Sequence, residues 1–252
     1  MVGTLGNVAG LYRDQGVVLR TIKLGETDRI VTIFTQGHGK VRAVAKGVRR
    51  PGSRFGARLE PTSHVALQCY QGRELDVVTQ VETIDAHRAI REDYVTLTRA
   101  ISMLEAVDQV GPDREPSPAR YRMLAAGLRT LAATRSSLVA PTFYWKLLSL
   151  EGFHPMLDAC VACGDPSAAD PANPNPALDP GEGGILCPAC ARGRGRRVRP
   201  ATLVLLRRAL GGDLARVLAE PHDVAVVSEV EHLGVSALEY HLERRLRSAA
   251  LL

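Results

Sequence analysis

At 252 residues, 45% of them hydrophobic and 23% charged, the chain is long enough to bury one large core or two modest ones. No apolar run approaches the roughly 18 residues that span a bilayer, which excludes a helical membrane protein, and no membrane partner is expected. The formal charge of +5 is small but segregated: residues 40–58 and 192–208 hold 14 of the 32 basic residues and no acid, leaving 18 basic against 27 acidic residues elsewhere. An acidic body with two concentrated cationic stretches is suited to capturing a polyanion.

Residues 1–10 are small and featureless and are expected to form a lead-in. They contain no basic-then-apolar signal, which predicts a cytosolic chain. Five alternating runs follow at residues 16–20, 29–35, 40–46, 64–70 and 74–81, separated by turn signals such as Gly25-Glu-Thr-Asp28 and Gln36-Gly-His-Gly39. Five strands in about 80 residues are too few for a seven-stranded sandwich and fit a small closed barrel of the OB type.

The third run carries the first cationic stretch. Period-2 alternation puts Lys40, Arg42 and Lys46 on one face and Val41, Ala43 and Ala45 on the other. The chain then enters the glycine- and proline-bearing loop 47–56, which is expected to follow an irregular phosphate backbone. Candidate phosphate contacts are Lys40, Arg42, Lys46, Arg49, Arg50, Arg54 and Arg58. Phe34, Phe55 and Tyr70 are each either base-stacking or core residues; Phe55, in the basic loop, is the strongest stacking candidate.

From about residue 86 the apolar period lengthens to that of a helix. Leu97, Ile101 and Leu104 mark a first helix over 94–107, and further helices are expected over 120–133, 142–150, 201–210 and 228–248. Four cysteines interrupt this region as Cys160-Val-Ala-Cys163 and Cys187-Pro-Ala-Cys190. Two Cys-x-x-Cys knuckles complete a tetrahedral sulfur shell of the kind Zn²⁺ favours, closed to a catalytic water, so one structural Zn²⁺ is expected. The 23 residues between the pairs are rich in Pro, Gly, Asn and Asp and predict a loop with little core of its own.

Rival readings are weaker. Disulfides need an oxidising compartment, and a redox motif needs only one pair. A nucleobase deaminase wants His-x-Glu upstream, whereas the single instance, His241-Leu-Glu243, lies downstream. Cys69, in an alternating apolar run, is expected to be a buried hydrophobe, and His154 is a minor alternative ligand. Arg194, Arg196, Arg197 and Arg199 follow the last cysteine and are a second candidate contact, for phosphates or for an acidic protein tail. A hydrolase or nuclease would need clustered carboxylates for Mg²⁺, and both cationic stretches lack acids, so no enzyme is expected.

The Gly25-Glu-Thr-Asp28-Arg29 turn, the Phe34-Thr35 strand end, the Gly39-Lys40 hairpin, Ala45-Lys46-Gly47-Val-Arg-Arg50 through Ser53-Arg54, and Leu59-Glu60-Pro61 resemble the N-terminal domain of the RecO family of DNA recombination and repair mediators. The helical region interrupted by the four cysteines is similar to the zinc-bearing helical domain of the same family. The resemblance implies an α+β, multi-domain protein: a five-stranded OB-fold barrel over 1–84 and a mostly α-helical domain over 85–252, with a zinc-binding insert at 160–190. It further implies binding to single- and double-stranded DNA, strand annealing, and cooperation with RecR and the acidic tail of the single-stranded-DNA-binding protein to load RecA. A cytoplasmic, nucleoid-associated location accompanies that role. The alternative is an OB-fold and zinc-ribbon protein that binds RNA or the ribosome.

Overall fold

In the computed structural model, which describes residues 10–53, 55–170, 173 and 176–251, the alternating runs form β1 (Leu11–Leu24), β2 (Asp28–Thr35), β3 (Gly39–Ala45), β4 (His64–Tyr70) and β5 (Asp76–Asp85). They close into a barrel in the order β1-β2-β3-β5-β4, with β3 parallel to β5 and the other pairs antiparallel. This is the five-stranded OB-type barrel expected from the strand count. The first strand is much longer than the run at 16–20. Its first half pairs with β4 and its second half with β2, and a register break between Val18 and Arg20 bends it where it changes partner. Val18, Val31, Ile33, Ala43, Val65 and Cys69 fill the interior. Burial pushes the Cys69 thiol up to about 12, so it behaves as the expected hydrophobe.

The chain divides into two compact units, residues 1–133 and 134–252. The first takes in α1 (Arg88–Arg91), α2 (Tyr94–Gln109) and α3 (Pro118–Thr134) beside the barrel. The Asp93 side chain accepts from the Thr96 N–H at 2.7 Å and so caps α2, which lies against β1. This cover explains why Val17 and Phe34 are buried although their neighbours Val18 and Ile33 face the barrel interior. The Arg120 guanidinium stands 5.7 Å from the Phe34 ring centre, so Phe34 is a core residue. Gly39 must be glycine on two counts: φ is +66°, and a Cβ would sit 2.2 Å from the Glu115 carbonyl oxygen of the α2–α3 loop. That loop also closes one end of the barrel. The buried Asp76 carboxylate accepts from the Tyr12 hydroxyl at 2.5 Å, the Arg114 guanidinium at 2.6 Å and the Gly72 N–H at 3.0 Å. A buried carboxylate so supplied with donors is tolerated where an unpaired one would not be.

Two histidines make this unit sensitive to acid. Burial lowers the pKa of His64, which bonds Tyr121 Oη at 2.7 Å, and that of His87, which bonds the Thr62 carbonyl at 3.0 Å. A histidine depressed in the folded state binds protons more readily when unfolded. Its stabilising effect is therefore complete above the ordinary value near 6.5 and is lost as pH falls towards the folded value. We expect the unfolding midpoint of the first unit to fall steadily below about pH 6.5. In a His87→Gln variant the slope should be shallower; an unchanged slope would assign the effect to other groups.

The second unit contains α4 (Val139–Leu150), α5 (Pro188–Ala191), α6 (Pro200–Leu210), α7 (Leu214–Ala219) and α8 (Val224–Leu242). α4 packs on α8, where the Trp145 indole N–H donates to the Val230 carbonyl at 3.1 Å, and α6 packs against both. α8 stops at Leu242 rather than running to residue 248. Glu243 adopts φ +51°, and the turn returns the buried Leu246, whose N–H donates to Glu239 at 2.9 Å. The short α7 was not foreseen. The segment between the cysteine pairs is likewise more ordered than a loop. Pro166–Ala169 forms a 3₁₀ turn, and β6 (Ala177–Asp179) and β7 (Gly184–Leu186) form a hairpin, to which β8 (Arg196–Arg197), beyond the second pair, adds a third strand in the order β7-β6-β8. Its few apolar residues explain this: Leu178, Ile185 and Leu186 are all buried.

Candidate metal centre and nucleic-acid interface

The sulfurs of Cys160, Cys163, Cys187 and Cys190 lie within 4.8 Å of one another. Each pair is presented by a tight turn. In the first, the Gly164 N–H donates to the Cys160 carbonyl at 2.8 Å, with Gly164 at φ +76°, where a side chain would be strained. In the second, the N–H groups of Cys190 and Ala191 donate to the Cys187 carbonyl at 3.1 and 2.9 Å as α5 begins. The hairpin β6–β7 brings the turns together: the Val161 N–H donates to the Ile185 carbonyl at 2.8 Å, and β7 leads into Cys187.

This shell fits a tetrahedral soft cation. Bonds of about 2.3 Å from four sulfurs to one Zn²⁺ place the sulfurs about 3.8 Å apart, and Cys163 Sγ and Cys187 Sγ are 3.8 Å apart. The electrostatics agree with the geometry. Burial opposes ionisation of Cys160, but the backbone N–H groups of Cys187, Cys163 and Ala162 outweigh it and bring the thiol down to about 6. Hydrogen bonds shared with the Cys163 and Cys187 thiols hold Cys190 up to about 12. Without a cation the four sulfurs cannot all ionise together; a divalent metal removes that conflict. His154 instead bonds the Ser149 hydroxyl at 2.9 Å.

The first cationic stretch is sorted by its surroundings. On β3, Arg42 is exposed, and Lys46, Arg49 and Arg50 continue the exposed series into the following turn. The turn is built around Asp28, whose carboxylate accepts from the Gly47 N–H and the Thr27 hydroxyl, each at 2.8 Å. These bonds, with Arg50 and Lys46 nearby, lower the Asp28 pKa. The Arg49 guanidinium lies over the β1–β2 turn and donates to the Glu26 carbonyl at 2.9 Å. Lys40 has different surroundings. Its side chain is only 12% exposed, and its ammonium donates to the Asp108 carbonyl at 2.6 Å and pairs with Asp113 at 3.3 Å. Arg58 is exposed on the 3₁₀ turn Gly56–Leu59 and lines an open groove with Phe55, Thr79 and Gln80; Phe55 is half-buried against the barrel core. Tyr70 is 51% exposed, and Arg54 lies outside the described residues.

The second stretch is more strongly paired. Arg194 binds Glu182 at 2.5 Å and Arg199 binds Glu229 at 3.1 Å. Glu229 also accepts from the Arg199 N–H at 2.9 Å and the Thr202 hydroxyl at 2.5 Å, so it satisfies the N-terminus of α6. Arg196 and Arg197 are exposed on β8. Arg207 donates to the carbonyls of Leu157 and Ala169 and fastens those segments to α6.

Comparison with known proteins decides the family. Residues 9–87 match the family described as Recombination protein O N terminal, and residues 91–250 match Recombination protein O C terminal. The DNA repair protein RecO of Cutibacterium acnes is 43% identical over 96% of this chain and 98% of its own length. Those of Bifidobacterium longum and a Nocardioides species are 42% and 41% identical, over 96% and 95% of this chain and 98% of their own lengths. The chain belongs to the RecO family.

Within this RecO-family chain, reading the sequence missed Arg20. It pairs across the sheet with Thr32, and Thr32 with Arg42, so the two arginines share a row. Extending the β1–β2 hairpin register outward from the Gly25 turn would have found it. Glu229 gave no sequence signal, because its partners are 30 and 27 residues away.

Proposed function

We propose that the chain binds DNA through the exposed cationic end of the barrel, anneals complementary strands, and so serves as a mediator that helps load a recombinase onto single-stranded DNA. The observation that carries this reading is the clustering of Arg42, Lys46, Arg49 and Arg50 beside an Asp28 carboxylate already turned into its own loop. The relatives' name, DNA repair protein, agrees with it. Annealing requires no bond-making: cations that neutralise phosphates let two strands approach, and pairing then proceeds by itself. Lys40, held by the Asp108 carbonyl, belongs to the proposal by sequence, while Arg58 and Phe55 extend the surface along the groove. Arg54 belongs to the proposal by sequence.

Cys160, Cys163, Cys187 and Cys190 would hold one structural Zn²⁺, which when bound neutralises the thiolates and cross-links the two turns. Arg196 and Arg197, with Arg194 and Arg199 behind them, form a second contact for phosphates or for the acidic tail of the single-stranded-DNA-binding protein. RecR, and RecA indirectly, are proposed partners through the family, in the cytoplasm at the nucleoid. Among the described residues, no helix is long and apolar enough to cross a membrane.

The test is the annealing rate of two complementary oligonucleotides followed with and without the protein. We expect acceleration at low salt that fades as salt rises. Tight DNA binding with an unchanged annealing rate would remove the annealing role.

A further inference from the structure

The four sulfurs do not share one environment. Cys160 and Cys187 are 2% and 3% exposed, whereas Cys163 is exposed and Cys190 partly so. Each turn therefore buries its first sulfur and directs its second outward. The outward edge of the tetrahedron joins Cys163 of one turn to Cys190 of the other. The inner sulfurs are fixed by the hairpin. The N–H of Val161, next to Cys160, donates to the Ile185 carbonyl at 2.8 Å, and Cys187 follows directly on β7, whose three residues are all buried. The outward sulfurs stand beside freer backbone. Gly164 follows Cys163 at φ +76°, and Gly193 lies three residues beyond Cys190 at φ +84°; beyond their chain neighbours, nothing lies within 4 Å of where a Cβ would be. Two guanidinium groups are attached to the second turn: Arg192 donates to the Ala189 carbonyl and Arg194 to the Cys190 carbonyl, each at 3.0 Å.

A thiolate is the form of cysteine that oxidants attack, and access decides which of several thiolates reacts first. We infer that the Cys163–Cys190 edge is an oxidation site, at which a small peroxide converts the zinc centre into a disulfide cross-link. This inference rests on the proposed structural zinc and adds a second state to it. The Cys163 thiolate attacks one oxygen of hydrogen peroxide; an S–O bond forms, the O–O bond breaks and hydroxide leaves. The Cys190 thiolate then attacks the sulfenic sulfur of Cys163, forming the S–S bond and expelling a second hydroxide. Two thiolates lose two electrons in all, and the peroxide gains them. The sulfurs must close from within 4.8 Å to about 2.05 Å. The glycine-flanked outer residues can make that movement, and the hairpin-anchored inner ones cannot. Only Cys160 and Cys187 then remain as thiolates, too few for a closed shell, so the metal is lost. The new bond still joins the same two turns. Oxidation therefore exchanges one cross-link for another, and a thiol reductant with Zn²⁺ reverses it. Because Arg192 and Arg194 are attached to the second turn, the second cationic stretch is tied to the state of this edge.

The test uses the zinc-loaded, full-length chain and hydrogen peroxide in equimolar amount. Released zinc is followed with a metallochromic dye, and the disulfide is located by peptide mapping without reduction. We expect zinc release in step with the loss of two thiols, a cross-linked peptide pair carrying Cys163 and Cys190, and recovery of bound zinc after dithiothreitol and added Zn²⁺. Brief exposure of the zinc-loaded chain to N-ethylmaleimide should label Cys163 about tenfold faster than Cys160 or Cys187. A Cys69→Ser variant should release zinc as the wild type does, because that thiol lies in the barrel interior. Zinc retained while peroxide is consumed, a disulfide formed within either turn, or slowed release in the Cys69→Ser variant would each overturn the inference while leaving the structural zinc in place. A preparation that holds no zinc before oxidant is added would overturn the zinc reading itself, and the inference with it.

Discussion

Reversing Arg42 and Lys46 to glutamate is expected to weaken binding to single-stranded DNA by about 1,000-fold at low salt, because two contacts each worth ~1 kcal/mol become repulsions of similar size. Each phosphate lost also removes the release of its counterions, so the slope of log affinity against log salt should fall by about 1.4 for two contacts on a single strand. Both side chains are exposed, and the barrel core does not contain them, so the unfolding midpoint should stay close to that of the wild type. Reversal at Arg49 and Arg50 should act in the same direction, with a small additional loss from the Arg49 bond to the Glu26 carbonyl. By contrast, Lys40→Glu should lower stability first, because it places a carboxylate beside Asp108 and Asp113 in a site only 12% exposed. If the Arg42 and Lys46 reversals left affinity and salt slope unchanged, the cationic end of the barrel would not be the DNA surface.

Removing the metal is expected to have the other large effect. We expect about one zinc per chain, released when the four thiols are titrated with a mercurial. Chelation should destabilise the second unit by at least about 3 kcal/mol, lowering its midpoint by about 10 °C. The physical cause is local. The apolar support of the hairpin is small, chiefly Leu178, Ile185 and Leu186, and without a cation the two cysteine turns are held together by few backbone bonds. The barrel has its own interior and should melt as before. Cys69→Ala should leave the zinc content unchanged, because Cys69 lies in that interior. A fully stable, zinc-free protein with four reactive thiols would remove the metal from the account.

Much of the architecture was legible in the sequence because it is locally encoded. Strict alternation located β2, β3 and β4 within a residue or so, since side chains that face a barrel interior must recur at every second position. Helical periodicity located α2, α3 and α6 for the corresponding reason. The four-cysteine set was legible because two-residue spacing is itself a geometric statement about a knuckle. What escaped was non-local. The first five residues of β1, Leu11 to Gln15, pair with β4 more than 50 residues away, so their short-range pattern is weak. The hairpin between the cysteines was hidden by its high proline and glycine content, although three apolar residues sufficed to bury its faces.

The candidate sites divide in the same way. From the sequence alone came the barrel-plus-helices plan, the family resemblance, the sulfur set and the two acid-free stretches. The tertiary structure decided which of those cations face solvent and which are occupied. Lys40 and Arg42 are two residues apart on one strand, yet Lys40 is tied down by the Asp108 carbonyl 68 residues away, while Arg42 is exposed. Charge can be counted along a chain. Whether a charge is available depends on which distant groups fold against it, and only the packed chain specifies that.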